Sequence, residues 1–300
     1  MFKVLSIDGG GIRGIFAARF LQRCEECWGK KLHEIFDLVV GTSTGGIIAL
    51  AAAYAKQMSN IVKLYADNAS KIFHQPAPLS PRKLLLFQSK YDNTNLIMLL
   101  KREFGPEVHF DVPSCHVRIY SFDLETGESK IFRTGGAYNN GVDKDFRVWE
   151  VAAATSAAPI YFPSFSMKQG LFVDGGVWAN NPSLFAVTEA LILQQRLEDI
   201  GLLSVGTGDT SFRDSKKRSG ILSWKLDLVD LVFQSQTDGV QQLAKKLEQK
   251  RHLNCYKRVS KALKPDESAL DAIDTVEILC KFADRQFDDE QRQLEELFFS

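Results

Sequence analysis

The sequence predicts an α/β fold, because strands and helices alternate in at least two strand-turn-helix units. The first unit has a strand at residues 2–7, a glycine-rich turn and a helix that reaches about residue 28. The second has an apolar strand at 38–40, a turn of small residues and a helix from 44 to about 57. A third apolar strand, at 203–205, also runs into a glycine-rich turn.

Length and composition fit this class. The chain has 300 residues and is 45% hydrophobic, which is ample for one large core. No internal repeat or low-complexity linker interrupts it, so we predict a single domain spanning 1–300. Lys plus Arg and Asp plus Glu both number 37, so no global field attracts a nucleic acid polymer or an anionic membrane.

The N-terminus and the cysteines predict a compartment. The chain enters its first strand directly, without a signal-peptide pattern, and no apolar run is long enough to span a bilayer. Five cysteines, an odd number, are typical of a reducing environment, and we expect a cytoplasmic protein. Cys24 and Cys27 are spaced as helix neighbours without a second pair, so we do not expect a metal site there.

The second turn contains a G-x-S-x-G motif, centred on Ser43 in residues 41–45. In this motif the serine occupies a sharp strand-to-helix turn that exposes its hydroxyl, and small flanking residues let the two backbones approach closely. The N-terminus of the following helix directs free N–H groups and a positive dipole end at an anion formed there. Ser43 is therefore a candidate nucleophile.

The first turn, residues 8–14, has two interpretations. Its glycine spacing matches the dinucleotide fingerprint, which requires an acidic residue at the end of the second strand. Asp37 has roughly that spacing but precedes its strand. The alternative is an oxyanion loop beside Ser43. It would use the N–H groups of Gly9, Gly10 and Gly11, with Arg13 as a fixed positive charge, and we favour it.

Together these two motifs resemble the patatin-like phospholipase family, which adds an aspartate in a D-G-G motif further along the chain. Asp174 begins such a motif after a short apolar strand at 171–173. The resemblance covers about residues 2–208, with 209–300 as a C-terminal extension. It implies a mostly parallel central sheet flanked by helices on both faces, a patatin-like three-layer fold. It also implies a catalytic dyad of Ser43 and Asp174.

The resemblance further implies hydrolysis of fatty acyl esters in membrane phospholipids, at the inner membrane surface, without cofactor or metal. Some bacterial members act in antiviral defence, which makes a cyclic oligonucleotide a candidate activator. An acyltransferase, thioesterase or general esterase would use the same dyad, and a dinucleotide-binding protein is a remoter alternative. Oligomeric state is left open.

Serine needs a base, and other residues compete with Asp174 for that role. The five histidines lie in no recognisable motif: His33, His74, His109, His116 and His252. Asp209 follows another glycine-rich turn but has no counterpart in the family pattern. A partly desolvated carboxylate can act as the base, which favours Asp174.

The remaining pattern predicts a helix at 60–73, irregular structure at 74–93, a hairpin of 117–122 with 130–133, and a helix at 147–156. Further on it predicts a helix at 182–196, a strand at 253–259 and a terminal helix from about 284. Residues 221–233 have an apolar helical face that follows a basic run at 213–218. We expect either a core helix, which we favour, or a membrane-contacting segment.

Overall fold

The computed structural model describes residues 1–74, 89–111, 113–135, 142–210, 227–250, 252–264 and 267–298. Its strands are β1 Phe2–Ile7, β2 Leu38–Thr42, β3 His116–Asp123, β4 Glu128–Arg133, β5 Phe165–Met167, β6 Gly170–Asp174, β7 Ile200–Val205, β8 Asp209–Thr210, β9 Cys255–Val259 and β10 Ala262–Leu263. Its helices are α1 Gly14–Trp28, α2 Leu32–Ile35, α3 Thr44–Ala53, α4 Met58–Ile72, α5 Thr94–Phe104, α6 Val148–Thr155, α7 Gly176–Ala179, α8 Ser183–Ile192, α9 Asp227–Gln249 and α10 Val276–Phe298.

Eight of the strands form one sheet in the order β5-β6-β3-β2-β1-β7-β9, with β4 paired to β3. The five neighbouring strands β3, β2, β1, β7 and β9 are parallel to one another. Strands β4, β5 and β6 pair in the antiparallel direction. The prediction of a mostly parallel sheet is therefore confirmed. The hairpin of β3 and β4 is also present where the sequence predicted it.

Alternate residues of the central strands face two separate apolar clusters. Leu5 and Val39 point into the larger cluster, which α1, α3 and α10 cover. Val4 and Leu38 point into the smaller one, under α8 and α9. Helices thus cover both faces of the sheet, and every residue of β2 and β7 is accordingly buried. This confirms the predicted three-layer α/β fold.

The C-terminal part of the chain contributes to the same sheet and layers. Strand β9 pairs in parallel with β7, and α10 packs on α1 through Phe287, whose ring meets Phe20 edge-on. The terminal helix begins at Val276, so the predicted start near residue 284 was wrong. The turn at Ile273–Thr275 leads directly into the helix, and its first turn carries an acidic residue that the helix dipole favours.

The stretch predicted to be amphipathic is only partly described. Residues 213–218 and 221–226 lie outside the described ranges, and α9 begins at Asp227. Phe233 is buried, in agreement with the core interpretation at that position, while Leu228 and Val232 are exposed. None of the helices in the described ranges combines the length and apolar character needed to cross a bilayer.

Candidate active site

Ser43 lies at the junction of β2 and α3 with φ 56° and ψ −128°, a conformation that non-glycine residues rarely adopt. The adjoining backbones are so close that a Cβ atom on Gly41 would overlap the carbonyl of Gly45. A Cβ on Gly45 would in turn overlap the carbonyl of Ile7. The glycines of the G-x-S-x-G motif therefore permit the sharp turn that presents the Ser43 side chain.

The pairing of β3 brings Asp174 to this turn. Strand β4 occupies one edge of β3, so β2 and β6 share the other edge and approach each other from opposite directions. The last residue of β2, Thr42, pairs with Tyr120, and the last residue of β6, Asp174, pairs with Ser121. Because these partners are consecutive in β3, Ser43 and Asp174 lie side by side where the two strands end.

The Asp174 carboxylate is fully buried. Its Oδ1 accepts the N–H of Gly176 at 2.7 Å, and its Oδ2 makes no regular hydrogen bond within the described residues. Burial raises the pKa of Asp174 to about 7, and interaction with the Ser43 hydroxyl and the Gly176 N–H only partly opposes this. A carboxyl group with a pKa near neutral, next to a serine, is suited to act as a general base.

Thr155, at the end of α6, supports the sharp strand-to-helix turn at Ser43, which we call the elbow. This role was not predicted from the sequence. Its Oγ1 accepts the N–H of Ser43 at 2.9 Å and donates to the carbonyl of Tyr120. The hydroxyl thus ties the strained residue to β3. It also occupies the Ser43 N–H, so the charge of an oxyanion would fall to other donors. The only sequence signal for Thr155 was its place in a predicted helix of small residues.

The glycine loop joins β1 to α1 beside Ser43. A Cβ atom on Gly9 would lie 3.2 Å from the Cβ of Ser43, and the N–H of Gly9 donates to the Asn180 carbonyl at 3.0 Å. The N–H groups of Gly10 and Gly11 donate to no acceptor within the described residues. These two groups remain available as oxyanion donors, whereas the N–H of Gly9 already has an acceptor.

The loop is also tightly enclosed. A Cβ on Gly10 would overlap the Thr207 side chain, and one on Gly11, where φ is +56°, would overlap the carbonyl of Leu270. Leu270 also accepts the N–H of Ile12 at 2.8 Å. The glycines are therefore required by close packing and not only by access to a substrate. Leu270 lies in the C-terminal part, for which no motif gave a functional prediction.

Arg13 is buried but does not line the cleft that contains Ser43. Its Nε donates to the carbonyl of Gly10 at 3.3 Å, and it lines a separate polar cavity behind the loop. Burial lowers the pKa of the Arg13 guanidinium, and the carboxylate of Asp230 opposes that effect. The structure thus places Arg13 where it holds the glycine loop rather than where it contacts a substrate.

The cleft in front of Ser43 contains about 480 Å³ of empty space and is lined mainly by apolar side chains. Ile47, Ile72, Phe162 and Phe233 form much of its wall, and Leu270 lies beside Gly11 at the loop. Such a surface suits a hydrocarbon chain. The sequence predicted Phe233 only as part of an apolar helix face and not as a residue of the active-site cleft.

The rival bases lie elsewhere. No histidine is among the described residues that line the cleft, and His33 and His116 line a cavity at the opposite end of β2 and β3. Asp209 is held by Ser260 and Arg258 and borders the polar cavity. Asp37, the acid considered for dinucleotide binding, instead accepts the backbone N–H of Lys3 at 2.7 Å.

Comparison with protein families matches residues 5–187 to the patatin-like phospholipase family. The chain belongs to this family. The match includes the glycine loop, the elbow and the D-G-G motif of the patatin-like protein described here. Membership supports lipid hydrolysis as the class of reaction.

Individual relatives are similar over differing lengths. The chain is 30% identical to a cGAMP-activated phospholipase of Pseudomonas aeruginosa, over 92% of this chain and 84% of that protein. It is 33% identical to a cGAMP-activated phospholipase of Vibrio cholerae, over 68% of this chain and 64% of that protein. It is 30% identical to human calcium-independent phospholipase A2-gamma, over 69% of this chain and 28% of that protein.

Proposed function

We propose that this patatin-like protein hydrolyses fatty acyl esters of membrane phospholipids with Ser43 as nucleophile and Asp174 as general base. The observation that carries the proposal is the meeting of β2 and β6 on one edge of β3, which sets a strained serine beside a buried carboxylate. The apolar cleft in front of Ser43 provides the place for the acyl chain.

In the first half of the reaction, Ser43 Oγ attacks the ester carbonyl carbon while its proton passes to the Asp174 carboxylate. The carbonyl oxygen becomes an oxyanion, which the N–H groups of Gly10 and Gly11 stabilise, because they have no acceptor among the described residues. Collapse of this intermediate breaks the ester bond, and the leaving lysophospholipid oxygen takes the proton from Asp174. The product is an acyl-serine.

In the second half, Asp174 removes a proton from water as the water attacks the acyl-serine. The oxyanion forms again at the glycine loop, and collapse releases a free fatty acid as Ser43 recovers its proton. No step needs a redox group or an external acid. Each proton that leaves the nucleophile passes through one buried carboxyl, whose pKa of about 7 suits both directions of transfer.

The direct test is fatty acid release from mixed phospholipid vesicles by wild type and Ser43→Ala. We expect the variant to lose at least about 10⁴-fold in rate, because it lacks the hydroxyl that attacks the ester. Thr44→Ser, at the next position, is a matched control that keeps its hydroxyl. Equal rates for wild type and Ser43→Ala would refute the mechanism.

Acyl transfer, thioester hydrolysis and general ester hydrolysis remain alternatives because they would use the same two residues. Product analysis separates them. Hydrolysis yields free fatty acid in proportion to lysophospholipid, whereas an acyltransferase yields less free acid when an acceptor alcohol is added. A thioesterase would prefer an acyl thioester over the matched oxygen ester. Tight binding of a nicotinamide cofactor would instead support the dinucleotide interpretation of the glycine loop.

A cyclic oligonucleotide is the proposed activator, as the names of the bacterial relatives suggest. The proposed setting is antiviral defence at the inner membrane surface. The test is vesicle hydrolysis with and without cGAMP. Stimulation that is abolished by Ser43→Ala would support this proposal, and equal rates with and without cGAMP would contradict it for that ligand.

A further inference from the structure

Leu270, in the C-terminal part of the chain, is in direct contact with the glycine loop. Its carbonyl accepts the N–H of Ile12 at 2.8 Å, and a Cβ atom on Gly11 would overlap that same carbonyl. The Leu270 side chain is buried and lines the cleft in front of Ser43. A shift of Leu270 would therefore be transmitted to the segment that carries the proposed oxyanion donors.

The next residue, Asp271, anchors this segment through its side chain. Its Oδ2 accepts the Tyr91 hydroxyl at 2.6 Å and forms an ion pair with the ammonium of Lys90. The side chains of this ion pair are only 12% and 22% exposed. Burial, and then the hydrogen bond to Asp271, raise the pKa of Tyr91, so the phenol stays protonated and remains a donor. One carboxylate oxygen thus joins two segments that are 180 positions apart in the chain.

Tyr91 in turn is attached to the side chains that form the aromatic part of the cleft. Its N–H donates to the carbonyl of Tyr161 at 2.8 Å. Its ring packs against the rings of Phe73 and Phe162, with centroids 5.4 and 5.9 Å away. Phe73, Tyr161 and Phe162 all line the cleft, and we call these three side chains the aromatic wall. Asp271 therefore connects the aromatic wall to the glycine loop.

The backbone that carries the aromatic wall is strained. Ile160 has a φ of 72°, which a β-branched residue rarely adopts. Such a conformation persists only where the surrounding contacts hold it. Lys90 supplies two of those contacts, because its N–H donates to the carbonyl of Ile160 at 2.7 Å and its Nζ lies 5.7 Å from the centroid of the Tyr161 ring. The partner of Asp271 thus also supports the strained turn.

We propose that Asp271 is a positioning residue for the hydrolysis. Its ion pair and hydrogen bond hold the glycine loop in register with the aromatic wall, so that the oxyanion donors and the acyl chain meet on one ester. The inference rests on the proposed function, because it needs the ester at Ser43 and the acyl chain in the cleft. Asp271 is not among the described residues that line the cleft, and it acts through Leu270 and Tyr91. Small displacements of oxyanion donors matter because transition-state stabilisation depends on their geometry.

The test measures kcat on a short soluble ester, together with urea unfolding, for Asp271→Ala. We expect kcat to fall about ten-fold, less than the ~10²–10³ typical of losing one oxyanion donor, because the donors are displaced but present. Glu290→Ala is the matched control. It breaks an ion pair with Lys257 whose side chains are 15% and 19% exposed and are not among the described lining of the cleft. This control should lose stability to a similar degree and keep its kcat.

Phosphorus NMR provides a readout that a loss of stability alone would not change. A fluorophosphonate that labels Ser43 places a phosphoryl oxygen where the oxyanion would form, and the phosphorus chemical shift reports the hydrogen bonds made there. We expect this shift to differ from wild type in Asp271→Ala and not in Glu290→Ala. If Asp271→Ala does not fold, Tyr91→Phe repeats both measurements. It removes only the hydroxyl and should lower kcat by about two- to ten-fold, the net contribution of one hydrogen bond.

The outcomes separate this inference from the proposed function. If Asp271→Ala and Tyr91→Phe lose stability but keep the wild-type kcat and phosphorus shift, Asp271 serves the fold alone and the inference is refuted, while the hydrolase stands. An equal loss of kcat in Glu290→Ala would refute it as well, because the effect would not be specific to the contact with the glycine loop. If Ser43→Ala still hydrolyses the ester, the proposed function fails first.

Discussion

Asp8 and Asp174 are both buried at the carboxyl ends of strands, yet their surroundings differ in one respect. Asp8 pairs with Arg258 at 2.6 Å, whereas the side chain that interacts with Asp174 is the hydroxyl of Ser43. Burial raises the pKa of Asp8 to about 6 despite the guanidinium, and the pKa of Asp174 to about 7. The comparison suggests that an ion pair makes the first carboxylate structural, while the second is free to exchange a proton.

The largest expected effect is on activity at Asp174. Asp174→Asn keeps the volume and the hydrogen bond from Gly176 but cannot accept the serine proton. We expect kcat to fall about 10²–10⁴-fold, the usual contribution of a general base. Thermal unfolding should be unchanged or shifted upward, because a buried carboxylate without a cation is replaced by a neutral amide. Wild-type turnover in this variant would refute the dyad.

At Asp8 we expect the reverse, a loss of stability rather than a loss of activity. Asp8→Asn leaves the guanidinium of Arg258, whose side chain is 12% exposed, without its main partner. Breaking a buried pair in this way typically costs about 3 kcal/mol of unfolding free energy. Adding Arg258→Met should restore much of that loss, as a double-mutant cycle in urea would show. If Asp8→Asn instead keeps full stability and loses turnover as severely as Asp174→Asn, Asp8 is catalytic and the comparison fails.

The pH dependence sharpens the same contrast. Since Asp174 must be ionised to act and its pKa is raised to about 7, kcat/KM on a short soluble ester should rise with pH up to about 7 and then level off. The stability effect has the opposite sign. The folded protein keeps a proton on Asp174 between its ordinary pKa of 3.8 and about 7, so this group's favourable contribution to folding is lost as the pH rises through 7.

Asp174→Asn provides the control for that stability effect. The variant should flatten the decrease in unfolding free energy between about pH 4 and 7, while leaving the part that comes from Asp8, which ends near pH 6. Urea titrations at several pH values would measure both. An activity profile that is flat down to pH 5 or so would show that a group with a much lower pKa serves as the base.

Much of this arrangement was predictable from local sequence. The elbow depends on glycines at two positions and a buried strand, and these are visible as a short motif around Ser43. The α/β class followed from strands and helices that alternate along the chain. Only the family resemblance, however, linked Asp174 to Ser43, because their contact depends on two strands sharing one edge of β3. No sequence spacing encodes that pairing.

Other parts could not be predicted for the same reason. Thr155 and Leu270 reach the site through tertiary contacts alone, from segments that carry no motif. The placement of the Arg13 side chain could not be predicted from the sequence either, because an arginine at the start of a helix can point to either side of a glycine loop. Its Nε contacts the Gly10 carbonyl, and its side chain lines the polar cavity together with Asp209 and Asp230.

The smallest expected effect concerns Thr155, the uncharged side chain that supports Ser43 beside Asp174. Thr155→Val keeps the shape but removes the hydroxyl that accepts the Ser43 N–H and donates to Tyr120. We expect about 1–3 kcal/mol lower stability, because two buried groups lose their partner. We also expect a kcat about ten-fold lower, since one lost hydrogen bond of about 1.4 kcal/mol no longer holds the elbow. Thr155→Ser should retain both. Reduced stability with an unchanged kcat in Thr155→Val would mean that the hydroxyl serves the fold alone, and that Ser43 keeps its strained conformation through the glycine contacts around it.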